Sequence, residues 1–414
     1  MGRDNVVAFE KRENISSSRT VLEEIVKNGA QRLLQAAIEA EVNEFVSQYK
    51  TSIDDQKHRL VVRNGYLPER DIGTGVGQIT VKQPRVRDRS STIKFTSKIL
   101  PPFLRRLPSI DALIPTLYLK GISTSDFSEA LVSILGPQAV GLSPANIVRL
   151  KQGWEAEYNE WSTRNLSNKR YVYWWADGIY FNVRLDPARP CVLVIMGALE
   201  DGTKEIISIW DGERESKETW SSIMRSLKKR GLKHAPQLAI GDGALGFWAA
   251  LAEEYPGAKW QRCWVHKTAN ILDKLPKSVQ VDAKSLIHEM YMAPTRATAL
   301  LAYEEFKKQY SVKYPRAVEC LVKDEDVLFT FYDFPAEHWP HIRTTNPIES
   351  TFATIRHRTR QTKGCGSRMA TLTMVFKLGM AAEKRWRRLR GSELIGKVIE
   401  GIKFVDGEFL KLAA

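Results

Sequence analysis

Three carboxylates stand where a carboxylate has to be accounted for. Asp177 falls in YVYWWADGIYFNV, residues 171–183, a stretch so dense in aromatic and β-branched side chains that it reads as a strand. Alternation places it on one face with Tyr173, Trp175, Ile179, Phe181 and Val183. A lone charge on an apolar face is costly enough to shift its own pKa, so something compensates Asp177 or it lies at an opening in the core. Asp242 closes the apolar run of QLAIGDGALGFW just before a helix. The carboxyl ends of strands in open α/β sheets are where ligands collect, although Asp-Gly is also an ordinary turn dipeptide. Glu349 sits in TTNPIEST. With Asn346 as N-cap and Pro347 as first helical residue, it has the spacing of a capping box and could equally reach back to the Asn346 amide.

If the three converge, they repel one another unless cations neutralise them. Oxygen ligands suit Mg²⁺ or Mn²⁺. Two such ions, about 3.5–4 Å apart, can activate a water or a 3′-hydroxyl and stabilise the leaving oxygen of a phosphodiester.

The elements that must position these groups follow from periodicity. We read strands over 171–184, 190–199 and 204–210, a helix over 216–230, a strand over 237–242, a helix over 244–255, a short strand over 258–264 and a helix over 266–273. The first three strands, joined by LDPARP and EDGTK, make an antiparallel meander; the others alternate with helices and so cross over in parallel. Residues 274–340 read as helices broken at Pro276, Pro294, Pro315 and Pro335. In the helix that starts near Pro347, Ile348, Phe352 and Ile355 form a core stripe, while Glu349, Arg356, Arg360 and Lys363 share a second stripe; Arg358 and Arg368 add to the cations nearby. A cationic track beyond a catalytic carboxylate suits a phosphate backbone, and a solvated basic face is the plainer alternative. Cys263 and His266 in CWVHK have the spacing of half a zinc site, but no second pair completes it, and Cys320 and His338 could join only through the fold. Trp264 and Trp339 read as core.

Upstream, residues 20–49 have the spacing of a long amphipathic helix that needs a partner in its own chain or another copy. A Gly- and Pro-punctuated β-element with basic edges follows. STSDFSEALVSIL, a break at GPQAVGL, and SPANIVRLKQGWEAEY then read as helix, turn and capped helix, with Asn146, Arg149 and Lys151 near the start of the second. That is the pattern of a helix-turn-helix DNA reader, or of an ordinary helical hairpin. The 414-residue chain carries a formal charge of +14, which favours an anionic partner. It has neither the apolar core of a signal peptide nor a run long enough for a membrane span, and its four scattered cysteines suggest no disulfide framework, as a reducing cytoplasm would allow.

The order and spacing of ADGIY, IGDGALGFWAAL, WQRCWVHKTANIL, TTNPIEST and the basic helix after them resemble the Mutator-type DDE transposases of bacterial insertion sequences. The likeness covers roughly residues 165–390 and, more loosely, RNGYLPERDIGTGVGQITVKQPRVR. It implies an α/β fold: a ribonuclease H-like mixed sheet interrupted by an α-helical insertion, with a mainly helical N-terminal DNA-binding region. On this reading residues 1–60 dimerise or bind DNA, 61–100 form a small β-element and 101–168 a helix-turn-helix-like region; 169–273 and 341–392 are the two parts of the core, 274–340 the insertion and 393–414 a C-terminal tail. The implied catalytic and metal-binding triad is Asp177, Asp242 and Glu349 with two Mg²⁺ or Mn²⁺ ions, supported by Cys263, His266 and Asn346. The implied partners are terminal inverted repeats, target DNA and a second copy of the chain in a nucleoid-associated assembly, with no membrane and no small-molecule substrate. A ribonuclease H-like nuclease that cuts without joining, or a non-catalytic DNA-binding derivative, are the alternatives.

Overall fold

The apolar spacing of residues 20–49 folds as one 35-residue helix, α1 (Asn14–Gln48). Its second half is covered: Ile38 and Val42 are fully buried, and Ile38 clusters with Ile72, Ile79, Val81 and Leu100. Four short strands follow in two antiparallel pairs, β1 (Val61–Tyr66) with β4 (Pro84–Asp88) and β2 (Arg70–Thr74) with β3 (Gly77–Val81); of those partners Ile72 lies on β2, Ile79 and Val81 lie on β3, and Leu100 comes after the strands. Two glutamines of α1 replace missing strand partners. The Gln35 amide donates to the Lys82 carbonyl at 2.8 Å and accepts from the Lys82 N–H at 2.9 Å, and Gln31 donates to the Thr80 carbonyl at 2.9 Å. Leu22, Ile25 and Leu33 of α1 are largely exposed.

The computed structural model describes residues 14–54, 56–90, 94–102, 104, 117, 119, 144–181, 191–212, 214–361 and 367–409, and its contacts separate residues 1–148 from 149–414 as two units. Of the expected helix-turn-helix, the capped second helix is described as α2 (Pro144–Ser162), with Pro144 leading as expected; STSDFSEALVSIL and GPQAVGL lie outside the described residues. No described helix is long and apolar enough to cross a membrane.

The second unit is built on a five-stranded sheet of β5 (Tyr171–Tyr180), β6 (Cys191–Leu199), β7 (Lys204–Gly212), β8 (Leu238–Gly241) and β9 (Lys259–Arg262), in the order β7-β6-β5-β8-β9. β5, β6 and β7 pair antiparallel; β8 and β9 join β5 in parallel through the crossover helices α3 (Lys217–Lys229) and α4 (Leu245–Glu254). All four residues of β8, LAIG, are buried, as a strand between parallel neighbours requires. Alternation on β5 serves two cores. Trp174 and Ala176 face Trp220, Met224, Phe247 and Leu251 of α3 and α4. On the opposite face the Tyr173 hydroxyl lies 2.7 Å from His338 Nδ1, and Trp175 Nε1 donates to the His341 carbonyl at 2.9 Å.

After α5 (Trp264–Leu272), residues 274–342 fold as the expected series of helices: α6 (Gln280–Met292), α7 (Arg296–Tyr310), α8 (Pro315–Val322, with Pro315 at its start), α9 (Glu325–Leu328) and α10 (Trp339–Ile342). Buried Lys267 and Arg262 share Asp324 Oδ2 at 2.8 and 3.0 Å, which ties these helices to the sheet. Trp264 and Trp339 are core, as read, donating to the carbonyls of Leu328 and Phe334. Then come α11 (Asn346–Gln361) and α12 (Arg368–Glu383). The terminal segment is more than a tail: α13 (Ile395–Ile399) and a hairpin of β10 (Phe404–Val405) and β11 (Glu408–Phe409) bury Ile395, Val398 and Phe404.

Candidate active site

The register of the parallel strands places two of the carboxylates. Ala176 on β5 pairs with Gly241 on β8, so Asp177 and Asp242 are the next residues at the same level on adjacent strands. Parallel neighbours lie about 4.8 Å apart. Here β8 ends, and beyond it Gly243, at φ +93°, turns the chain into α4. Asp177 is only 5% exposed, and beyond it on the same face Ile179 and Phe181 are buried as well. Each carboxylate is oriented by a main-chain donor: Gly178 N–H to Asp177 Oδ1 at 2.8 Å, and Ala244 N–H to Asp242 Oδ1 at 2.9 Å.

Glu349 arrives by a different route. The capping box that the spacing also allows is not formed. α11 begins at Asn346 itself, and the Thr345 carbonyl takes the first helical bonds from Ile348 and Glu349. The Asn346 amide is met by the Thr344 hydroxyl at 3.4 Å, so Glu349 is not needed there. Its Oε1 instead accepts from the Thr345 hydroxyl at 2.9 Å. That hydroxyl also lies 3.2 Å from Cys263 Sγ and 3.3 Å from His266 Nδ1, and His266 Nδ1 is 3.7 Å from Glu349 Oε1. The Cys-x-x-His pair at the start of α5 is thus a bracket for the start of α11. The Thr345 N–H closes it by donating to Cys263 Sγ at 3.2 Å.

The electrostatics join the two halves. Burial pushes the Asp177 carboxyl up to about 7; the His266 charge opposes this, while the Asp242 and Glu349 charges add to it. The hydrogen bond to Cys263 lifts His266 to about 9 against the effect of burial, with help from the charges of Cys263, Asp177 and Glu349. Burial alone would raise the Cys263 thiol, but His266 and Thr345 together outweigh it and hold the thiol below its ordinary value. One imidazolium therefore faces a group of carboxylates. Among the described residues, the set whose donor atoms all fall within 4.8 Å of one another is Cys263, His266 and Glu349, not the three carboxylates. Cys263 is bound up with Thr345 and His266, and His338 spends its two ring nitrogens on Tyr173 and the Gly391 carbonyl, so the bracket is not extended into a four-ligand zinc site through His338. Carboxylate oxygens of this kind are donors that suit Mg²⁺ or Mn²⁺.

Sequence reading missed Thr345, which carries no signal beyond its place before Asn346. It also missed Glu215, in the turn before α3, whose carboxyl is raised to about 7 by burial and then by Asp242 and Asp177. The expected DNA-contacting cations separate. Arg149 and Arg356 are exposed, Lys151 is half-buried, and the Arg356 guanidinium lies over the Phe352 ring at 5.8 Å. Arg358 is a correction: at 3% exposed it is turned into the protein, away from any backbone track. The signal was present, since Thr351, Ile355 and Arg358 recur at i, i+4, i+7 and all three are buried. Arg368 is also engaged within the protein, pairing with Asp211 at 3.3 Å where α12 meets β7. The side chains of Asn146, Arg360 and Lys363 lie outside the described residues.

The family described as Transposase, Mutator family, matches residues 3–388. The transposase for insertion sequence element IS6120 of Mycolicibacterium smegmatis is 49% identical over 299 residues, covering 72% of this chain and 92% of that protein. The transposase for insertion sequence element IST2 of Acidithiobacillus ferrooxidans is 50% identical over 286 residues, 67% of this chain and 94% of that protein. The Drosophila P element transposase strand transfer complex aligns with 70% of this chain and 91% of that chain at 10% identity, with a TM-score of 0.22, too low to bear on the fold.

Proposed function

The chain belongs to the Mutator family of transposases, and from that premise we propose that it cuts DNA at the ends of an insertion sequence and joins the freed 3′ ends to target DNA, with Asp177, Asp242 and Glu349 as ligands for two Mg²⁺ or Mn²⁺ ions. One observation carries the assignment: Asp177 on β5 and Asp242 just past the end of β8 stand at one level on adjacent parallel strands, and Glu349, 172 positions beyond Asp177 by subtraction of their numbers, adds its charge to the upward push on the Asp177 carboxyl. The sheet order, three antiparallel strands followed by two parallel ones, supports a ribonuclease H-like core, and the helices over 274–342 support an insertion before the last carboxylate.

Each carboxylate has one oxygen fixed by a protein donor: the Gly178 amide, the Ala244 amide or the Thr345 hydroxyl. That bond sets the plane of the group and leaves its second oxygen for a cation. The ions, when bound, supply Lewis-acid activation of the attacking water or 3′-hydroxyl and offset charge on the leaving oxygen. The protein's part is to fix the carboxylate planes before substrate arrives and to hold His266 as a cation beside Glu349. No residue is needed as a covalent nucleophile. Two ends must be held at once, which calls for at least two copies. The apolar strip of Leu22, Ile25 and Leu33 on α1 suits such a contact.

The test is a reaction of the full chain with its terminal DNA, Mg²⁺ and a supercoiled target. Joined products are expected; cut ends that never join would reduce the protein to a nuclease, and a monomer that joins single ends would remove the pairing. The exposed Arg356 belongs to the proposed phosphate track. Arg356→Ala should weaken binding evenly across DNA sequences and lower the slope of log affinity against log salt by about 1. An unchanged slope would take Arg356 off the track.

A further inference from the structure

Resting on the reading of the chain as one that acts on DNA ends, we propose that a pocket beside the start of α11 takes one unstacked nucleotide of the DNA, its base against Trp386 and its phosphate against Lys204. The pocket encloses about 250 Å³. Lys204 of β7, His341 of α10, Pro347 and Ser350 in the first turn of α11, and Trp386 and Arg387 after α12 line it. Lys204 is the observation that points to a ligand. It is 8% exposed, and a buried ammonium is normally matched by a carboxylate. Lys267 follows that rule: equally buried, it pairs with Asp324 at 2.8 Å. Among the described residues no carboxylate pairs with Lys204, and none of those that line the pocket is acidic. Its Nζ donates to the Arg387 carbonyl at 3.2 Å, which leaves two of its three N–H donors.

The rest of the lining is consistent with a missing anion. Burial, then the charges of Lys204, His338 and Arg390, bring His341 down to about 4, so its ring is neutral at pH 7 and the positive charge rests on Lys204 and Arg387. A phosphate supplies the absent charge and accepts from the two remaining donors. The half-buried Trp386 and Pro347 add an apolar wall, which a phosphate does not need but a base does. A base inside a duplex cannot reach such a wall, whereas one out of the stack can lie against an aromatic ring. Ser350 directly follows Glu349, so the pocket and the proposed cation ligand share one turn of a helix about 10–12 Å across. A strand that brings its scissile phosphate to Glu349 therefore passes close to Lys204 and Trp386.

The experiment is a set of binding titrations of the full chain with its terminal duplex, in which the nucleotides around the cleavage site are made abasic one at a time. Removing the base at one position is expected to weaken binding about tenfold, the scale of a single base–aromatic stack. Trp386→Ala should lose the same tenfold on intact DNA and nothing further on DNA abasic at that position, while Trp386→Phe keeps most of the wild-type affinity. If Trp386→Ala folds poorly, Trp386→Leu, which keeps apolar bulk without the aromatic face, must show the same lack of additivity. Lys204→Met should weaken intact and abasic DNA alike and lower the slope of log affinity against log salt by about 1. Its DNA-free melting temperature should be no lower than that of wild type, because an unmatched buried charge has been removed. Losses from Trp386→Ala and base removal that add at every position overturn the stack, and an unchanged salt slope in Lys204→Met overturns the phosphate contact. Cleavage of the same DNA in Mg²⁺ is followed in parallel. Wild type that cuts while the losses add overturns the pocket alone; wild type that binds, shows the non-additive position and never cuts overturns the activity and leaves the pocket standing.

Discussion

Asp177→Asn is expected to slow end cleavage by about a thousandfold or more, while affinity for terminal DNA stays within about threefold; about 4 kcal/mol of transition-state stabilisation, the scale of several kcal/mol for metal-assisted charge stabilisation, corresponds to that factor. The substitution is nearly isosteric. Asparagine can still accept from the Gly178 amide through its carbonyl oxygen, so the strand end keeps its local bond. What goes is the charge. The direction of the stability change separates this from a folding defect. A carboxyl raised from 3.8 to about 7 by burial and by its acidic neighbours costs the folded state stability, a cost that begins above the ordinary value and is complete above 7. Removing the charge removes the cost. The metal-free variant should therefore melt at a higher temperature than wild type at pH 8, although it has lost its activity. A variant that melts lower and loses DNA binding together with cleavage would make Asp177 a structural residue. Calorimetric melting in chelator, beside a cleavage gel, distinguishes the two.

The readable part of this site lies within single elements. Strand alternation on β5 and the apolar run of β8 place Asp177 on one face of its strand and Asp242 in the turn after β8, because a period of two and a turn after a buried strand are local properties. The core stripe of α11 is local in the same way: Ile348, Phe352 and Ile355 are buried as their spacing demands. What spacing leaves open is decided where a side chain chooses between partners in different elements. Glu349 has capping-box spacing, but its neighbour Thr345 meets Cys263 from 82 residues upstream, and that contact draws the carboxylate away from the Asn346 amide. Arg358 looks like one more cation in RHRTRQTK; its angular position on the helix, not its charge, decides its burial.

The second large effect falls on the bracket. His266→Ala should reduce cleavage by about a hundredfold, the order seen when one preorganised donor is removed from a charged site, with little change in the affinity for terminal DNA. His266 does two things for the carboxylates: its Nδ1 stands beside Glu349 and Thr345, and its charge opposes the upward push on Asp177. Its ordinary value of 6.5 is raised to about 9 in the folded protein. Because the folded value lies above the unfolded one, the stabilisation is fully present below about 6.5 and is lost as pH rises through 9. The metal-free wild type should then melt at progressively lower temperature between those limits, and His266→Ala should flatten that part of the profile. The ring is 34% exposed, so solvent screening keeps the effect modest. Cleavage and melting thus give independent readings of one residue. A ring that contacts DNA directly would instead weaken end binding on substitution and leave the slope of the melting profile between pH 6.5 and 9 unchanged; that pair of results would take His266 out of the carboxylate cluster and place it on the substrate.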